Sequence, residues 1–237
     1  MVIYTANPGF SGTDTFTYTI QDNSGATSNP ATVSVSVAAG DTEGDLLNGG
    51  LGNDTMIGGG GNDTIIGDQG ADSLLGGDGN DSMLGAGGND TINGQGGNDT
   101  LFGNGGQDVV IGGANEDTLV WRTTLDGTDT FSGGTGGDQV QVRGDSSANN
   151  ITVGQTAEGR LTVEEGAAKL TIDFDISEIT INGSAGNDVI ALTDVSNVVL
   201  SRLTINGGSG DDAINSSNGG VSDLRIEMNG DLGNDTL

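Results

Sequence analysis

The sequence predicts an all-β chain built chiefly as a stack of short parallel strands, and three periodic features predict it. From Gly40 to Val120 a nine-residue unit recurs nine times with aspartate at its sixth position: Asp45, Asp54, Asp63, Asp72, Asp81, Asp90, Asp99, Asp108 and Asp117. Two residues after each stands an aliphatic or Met side chain: Leu47, Met56, Ile65, Leu74, Met83, Ile92, Leu101, Val110 and Leu119. The remainder is mostly glycine, as in Gly49-Gly50-Leu51-Gly52-Asn53-Asp54-Thr55-Met56-Ile57. Self-similarity at a fixed short period is the mark of a stacked array.

Residues 1–38 precede the array and read as strands. Thr15 to Ile20 alternates, with Phe16, Tyr18 and Ile20 on one face; after the turn Asp22-Asn23-Ser24-Gly25, Thr32 to Val37 alternates through Val33, Val35 and Val37. Within the array, positions one to six of the unit are too glycine-rich for a helix or for core side chains, and form a turn. Positions seven to nine, such as Thr64-Ile65-Ile66, are β-formers whose central side chain points inward. A three-residue strand is too short to stand alone; coils stacked at roughly 4.8 Å give it parallel neighbours and a shared core.

After Trp121 the rhythm changes. Asp129 and Phe131 fit one more unit behind a three-residue insert, while Asp126 keeps the old register, and both readings stand. The motif returns, more widely spaced, at Gly133–Asp138, Gly183–Asp188, Gly207–Asp212 and Gly230–Asp235. Ile179-Thr180-Ile181-Asn182-Gly183, Leu203-Thr204-Ile205-Asn206-Gly207 and Ile226-Glu227-Met228-Asn229-Gly230 align as one strand per coil. Residues 121–237 are therefore expected to form a wider parallel β-helix with coils of about 24 residues, an Ig-like domain over 140–237 being the competing reading.

If two turns and two strands close a coil, aspartates two units apart lie above one another. Asp45, Asp63, Asp81, Asp99 and Asp117 then line one edge, and Asp54, Asp72, Asp90 and Asp108 the other. Like charges about 5 Å apart repel by about 3 kcal/mol at an effective dielectric near 20, so such ladders demand cations. The donors on offer are carboxylate and carbonyl oxygens, with no His and no Cys in the chain. All-oxygen sites on a flexible backbone favour Ca²⁺ over Zn²⁺ or Cu²⁺, and over Mg²⁺, which resists dehydration.

The unit Gly-Gly-x-Gly-x-Asp-x-aliphatic-x resembles the hemolysin-type calcium-binding repeat of RTX proteins, which fold as parallel β-rolls; the resemblance covers 40–120. It implies that each ion lies between two turns on one edge. The earlier turn gives carbonyls from positions two and four and its Asp; the later gives carbonyls from positions one and three and its Asp. Carried over, Asp45 faces Gly58, Gly60 and Asp63, while Gly50, Gly52 and Asp54 face Gly67, Gln69 and Asp72. Gly59, Gly61 and Asp63 face Gly76, Asp78 and Asp81; Gly70 and Asp72 face Gly85, Gly87 and Asp90. Gly77, Gly79 and Asp81 face Gly94, Gly96 and Asp99; Gly88 and Asp90 face Gly103, Gly105 and Asp108; Gly97 and Asp99 face Gly112, Ala114 and Asp117. Nine turns paired two apart make seven sites. The end units depart from the motif: Gly40-Asp41-Thr42-Glu43-Gly44-Asp45 lacks two glycines, and Asn115 replaces glycine in the ninth. Asp138 and a third, sparser ladder of Asp188, Asp212 and Asp235 add further candidate ligands. Residues 4–22 resemble the last strands of bacterial cadherin-like or Ig-like domains, so 1–38 is expected to be a truncated β-sandwich.

Composition fits a chain that needs metal to fold. A formal net charge of −28 with 3% aromatics means self-repulsion and a thin core. Seven divalent ions would halve that charge while fixing the turns. The acidity argues against nucleic acid. No run is long enough to span a membrane, and Met1-Val2-Ile3-Tyr4 lacks the regions of a secretory signal. Catalysis has little to work with: His and Cys are absent, Glu164 and Glu165 are adjacent and so point to opposite faces of a strand, and Arg143-Gly144-Asp145 is expected by chance in so Gly- and Asp-rich a chain. The expectation is a non-enzymatic, secreted or cell-surface calcium module of a large bacterial adhesin or matrix protein, the alternative being the C-terminal export module of a type I-secreted hydrolase or toxin. Position nine is apolar at Ile66, Leu84, Phe102 and Val120 on one sheet and at Ile57, Leu75 and Ile111 on the other, which predicts outward stripes and lateral self-association.

Overall fold

A computed structural model describes residues 12–19, 21, 24–25, 27, 31–37, 42–123, 125–195, 200–216 and 224–237. Its regular elements are all strands: β1 (Gly12–Tyr18), β2 (Ala31–Val37), β3 (Leu46–Leu51), β4 (Thr55–Gly60), β5 (Thr64–Gln69), β6 (Ser73–Asp78), β7 (Ser82–Gly87), β8 (Thr91–Gly96), β9 (Thr100–Gly105), β10 (Val109–Ala114), β11 (Thr118–Arg122), β12 (Thr128–Thr135), β13 (Gln139–Arg143), β14 (Asn150–Gln155), β15 (Leu161–Glu165), β16 (Ala168–Ile172), β17 (Glu178–Ala185), β18 (Val189–Leu192), β19 (Arg202–Ser209), β20 (Ala213–Ser216) and β21 (Arg225–Leu232). β1 and β2 pair antiparallel, Phe16 opposite Val33 and Tyr18 opposite Ala31; Ile20 lies outside the described residues.

From β3 onward the chain is a solenoid of two facing sheets. Odd-numbered strands from β3 to β13, then β17, β19 and β21, form one; the even strands β4 to β12, with β14, β15, β16, β18 and β20, form the other. In the roll the parallel register is two units: Leu47 pairs with Ile65, Met83 with Leu101, Met56 with Leu74 and Ile92 with Val110. The position-eight side chains meet in the middle, where Ile65, Leu74, Met83, Ile92, Leu101, Val110 and Leu119 are fully buried. The strands are longer than three residues, as in Thr64–Gln69, because the glycine-rich backbone of positions one to three also pairs with the coils above and below. Only positions four to six turn the corner.

Beyond Trp121 the register lengthens by three, Val110 pairing with Phe131 and Leu119 with Val140, so the insert is Trp121-Arg122-Thr123 and Asp129, not Asp126, takes the sixth position. The long interval between the motifs ending at Asp138 and Asp188 is not a run of uniform coils. β13 pairs directly with β17, whereas on the opposite sheet β16, β15 and β14 stand between β12 and β18. β14–β15 and β15–β16 are antiparallel, and Gly159 and Gly166, at φ 87° and 61°, stand in their connections. One sheet thus gains a three-strand meander inside a single coil. Parallel pairing then resumes, Ile179 with Leu203 and Leu203 with Ile226, which rules out an Ig-like domain over 140–237. Here most strands turn two side chains inward, as Val140 and Val142, Ile179 and Ile181, or Leu203 and Ile205, so the core is wider than in the roll.

Candidate metal-binding edges

Each turn is tied to the next coil by an aspartate. Asp54 N–H donates to Asp72 Oδ1 at 2.8 Å, Asp63 N–H to Asp81 Oδ1 at 2.8 Å, Asp81 N–H to Asp99 Oδ1 at 2.7 Å and Asp99 N–H to Asp117 Oδ1 at 2.9 Å. The ladders run on through the insert, Asp108 N–H donating to Asp129 Oδ1 at 2.8 Å and Asp117 N–H to Asp138 Oδ1 at 2.9 Å. The second oxygen is left over. Oδ2 of Asp54, Asp72, Asp81, Asp90, Asp99, Asp108, Asp117, Asp138, Asp188 and Asp212 is buried with no hydrogen-bond partner. A single buried, unpaired polar group costs about 1–3 kcal/mol, and an ionised one more, so a column of them calls for a positive charge.

The glycines show where that charge fits. A Cβ on Gly58 would lie 2.1 Å from Asp63 Oδ2 and 2.6 Å from Gly76 O; on Gly94, 2.1 Å from Asp99 Oδ2 and 2.6 Å from Gly112 O. Beside each position-one glycine is therefore a small cradle, bounded by a carboxylate oxygen and by a carbonyl from the next coil, that any side chain would fill. At position four a Cβ on Gly79 would lie 1.9 Å from Gly61 O, so that carbonyl also points into the gap between coils. Position-three carbonyls line the same gap: Gln69 O accepts Gly52 N–H at 2.7 Å and Asp78 O accepts Gly61 N–H at 2.8 Å, each retaining a lone pair. The structure thus brings Gly52, Asp54, Gly67, Gln69 and Asp72 together, as it does Gly59, Gly61, Asp63, Gly76, Asp78 and Asp81. Among the described residues no three carboxylates converge, so an ion here would take two carboxylates and several carbonyls, a hard all-oxygen set suited to Ca²⁺.

The electrostatics follow from burial. Burial first, and then the like charges one coil away, push Asp81 up to about 6 and Asp108 and Asp117 up to about 7, against hydrogen bonds that lower them. Burial likewise raises Asp54, Asp72, Asp90, Asp99, Asp138 and Asp188. The first turn is looser: Asp45 is only half-buried, and residues 40 and 41 lie outside the described ones.

The observed ladders differ from expectation in three places. Asp188, Asp212 and Asp235 are not a third ladder. They follow β17, β19 and β21 as Asp54 follows β3, so they prolong that same edge, with Asp188 N–H on Asp212 Oδ1 at 2.8 Å and Asp212 N–H on Asp235 Oδ1 at 3.0 Å. Asp138 ends the opposite edge, where Asp175 sits next: its carboxylate accepts from Gly133 N–H, Gly134 N–H and Ser132 Oγ, and these bonds outweigh burial and lower its pKa. At Asp129 the second oxygen is satisfied by the Trp121 indole N–H at 2.9 Å, so this rung carries a neutral donor where the others carry a bare oxygen. Sequence reasoning also passes over position five. Asn62 Oδ1 accepts Asn80 N–H at 2.8 Å and Asn80 Oδ1 accepts Asn98 N–H at 2.8 Å, a second ladder running opposite to the aspartates; the recurring Asn is its signal.

A parallel solenoid whose edges stack buried carboxylates against carbonyls defines a calcium-binding structural module. The model of the RTX calcium-binding nonapeptide repeat matches residues 39–74, 48–83, 57–92, 84–119, 123–141 and 180–193. Residues 39–119 are thus an array of RTX calcium-binding repeats, preceded by a match to a bacterial Ig domain over residues 1–37. No curated protein matches the chain.

Proposed function

We propose that this chain is a calcium-loaded spacer of a large secreted or cell-surface bacterial protein of the adhesin or matrix type, folding once it meets extracellular Ca²⁺. Its parts are an Ig-like segment at 1–38, the roll at 40–120 and the wider helix at 121–237. The observation that carries the reading is the column of buried, unpartnered Oδ2 atoms beside side-chain-free cradles. The ligands are the aspartates and carbonyls at positions one to four of turns one coil apart, including Asp188, Asp212 and Asp235. Millimolar calcium supports folding outside the cell, where metal takes the role that disulfides have in other thin-cored modules. The Ig-domain match beside the array favours a surface protein over the export module of a hydrolase. The matched family is a structural module, and no helix among the described residues is long and apolar enough to cross a membrane.

The test is circular dichroism in EDTA and on adding Ca²⁺. The expected result is a largely disordered spectrum, with residual β signal from the wider helix, that converts cooperatively to full β structure with a midpoint of about 10⁻⁴ to 10⁻³ M. A native β spectrum in EDTA that calcium leaves unchanged would overturn the reading.

A further inference from the structure

Residues 142–179 lie between two segments matched by the repeat family and contain no recognisable nonapeptide. The structure nevertheless folds Gly144-Asp145-Ser146-Ser147-Ala148-Asn149 into the same edge. Gly144 stands where position one does: a Cβ there would lie 2.3 Å from Gly183 O and 2.4 Å from Asn149 Oδ1, matching the cradles of the roll with Asn149 in place of aspartate. Asn149 stands where position six does. Its N–H donates to Asp188 Oδ1 at 2.7 Å, its carbonyl accepts Val189 N–H at 2.8 Å, and Ile151 two residues on is fully buried. A Cβ on Gly186 would lie 2.5 Å from Ser147 O, so the position-four carbonyl also points into the gap.

An amide oxygen carries no formal charge, which would leave this rung one carboxylate short. The missing charge is close by, on the inserted meander. Glu165, at the end of β15, accepts Asn149 Nδ2 at 3.1 Å and Asn150 N–H at 3.0 Å, both on Oε1. Because Asn149 Nδ2 has carboxylate acceptors in Glu165 and, at 3.4 Å, Asp145, the amide is fixed with Oδ1 facing the cradle. That Oδ1 and Glu165 Oε2 are both buried without a hydrogen-bond partner, and Asn149 is only 2% exposed. Asn149 Oδ1 stands beside Gly183 O, with Ser147 O and the Asp188 carboxylate on the same rung. The Glu165 carboxylate, carrying its own unpartnered oxygen, is bonded to that asparagine, so every donor is an oxygen, as in the repeats.

We propose that the Gly144–Asn149 turn, Asp188 and Glu165 form a calcium site outside the nonapeptide pattern, in which Glu165 supplies the charge that Asn149 lacks and the ion clamps the antiparallel meander to the solenoid. The proposal rests on the reading that the coil edges hold calcium, and the roll serves as its internal control.

The experiment is hydrogen exchange with mass spectrometry on the full chain at increasing free Ca²⁺, following peptides within 144–165 and within 46–120. In the wild type both regions gain protection. Glu165→Gln should raise the calcium midpoint of 144–165 about tenfold and leave the roll unmoved, since affinity follows the charge count of the ligands. Asn149→Asp should lower it by a similar factor. A 144–165 segment indifferent to calcium while the roll responds, or one midpoint shared by all three chains, overturns the proposal. If Glu165→Gln fails to order the meander at saturating calcium, Asn149→Asp decides: a lower midpoint supports the site and an unchanged or higher one overturns it. No response in the roll would overturn the calcium reading of the edges and this site with it.

Discussion

In the roll each nine-residue unit sends one side chain to the core, whereas in the wider helix most strands send two. Leu74, Ile92 and Val110 are each the one core side chain of their strand, while Ile190 and Leu192, or Leu203 and Ile205, come in pairs from one strand. The edges show the reverse imbalance. In the roll every turn stacks a carboxylate on the turn one coil before, on both edges; beyond Asp138 one edge alone continues, through Asp188, Asp212 and Asp235. Burying one apolar side chain contributes about 1.5–3 kcal/mol, which offsets the ordering of only one or two residues of backbone at about 1–2 kcal/mol each. The roll cannot offset the ordering of a whole unit with one aliphatic, so its cohesion has to come from the edges. The helix draws more on its core.

The sharpest break between the regions should appear when calcium is removed. In EDTA, peptides of 46–120 should exchange their amides fully, while strands β17 and β19 keep measurable protection. Equal and complete loss in both would show that the helix depends on its edge as much as the roll does.

Within the roll the middle should matter more than the end. Asp81 faces Asp63 on one side and Asp99 on the other, its Oδ1 accepting from Asp63 and its N–H donating to Asp99. Among the described residues Asp45 has such a neighbour only at Asp63. Asp81→Ala is expected to abolish two ions in a calorimetric titration and Asp45→Ala no more than one; equal losses would contradict pairing of turns two units apart.

The same contrast governs how much of the molecule could be read from its sequence. The roll was legible because one register repeats: a fixed spacing of Asp and aliphatic residues dictates both the strand stack and the ladders. The continuation was legible as far as the motif recurs, at Asp188, Asp212 and Asp235, but its edge was not, because edge identity depends on counting strands through a region without repeats. Nothing in 139–182 marks the point where one sheet takes three strands and the other none, since Leu161, Val163, Leu170 and Ile172 alternate as any β segment does. The rungs that depart from the repeat, Asn149 in place of aspartate and Asp129 capped by the Trp121 indole, act through tertiary contacts with Glu165 and Trp121 that the nonapeptide period does not encode. Position nine departs in part from its reading: Val120, expected outside, is 1% exposed where the insert begins.

Protons should compete with calcium for the same oxygens, more on the roll than on the helix. The aspartates raised by burial have folded pKa values above the ordinary 3.8, about 6 for Asp81 and about 7 for Asp108 and Asp117. A raised carboxylate stabilises the metal-free fold when protonated, fully so below about pH 4, and that contribution is lost as pH rises through 6 to 7. In EDTA the chain should therefore gain β structure on acidification from pH 8 to 5, while the calcium midpoint climbs over the same interval. A midpoint independent of pH between 8 and 5 would mean that these carboxylates are not the ligands.

The smallest effect concerns the roll's outer face. Ile66, Leu84 and Phe102 align on successive strands of one sheet and line a shallow groove of about 300 Å³ with Thr64, Ser82, Asn104 and Arg122. They are half-buried rather than fully outward, and the Arg122 guanidinium lies 5.6 Å above the Phe102 ring, donating to Asn104 Oδ1 at 3.3 Å. On the opposite sheet Ile57 is 58% exposed, but Asn93 interrupts the row between Leu75 and Ile111. If a second copy covers the first stripe, changing Ile66, Leu84 and Phe102 together to Thr should reduce self-association in sedimentation, leaving the calcium-induced β spectrum and its midpoint in place, because none of the three lies in a turn or fills position eight. A wild-type chain that stays monomeric at high concentration with calcium bound would leave these side chains to the packing of one sheet and its arginine, and would assign lateral contacts no part in the module's role.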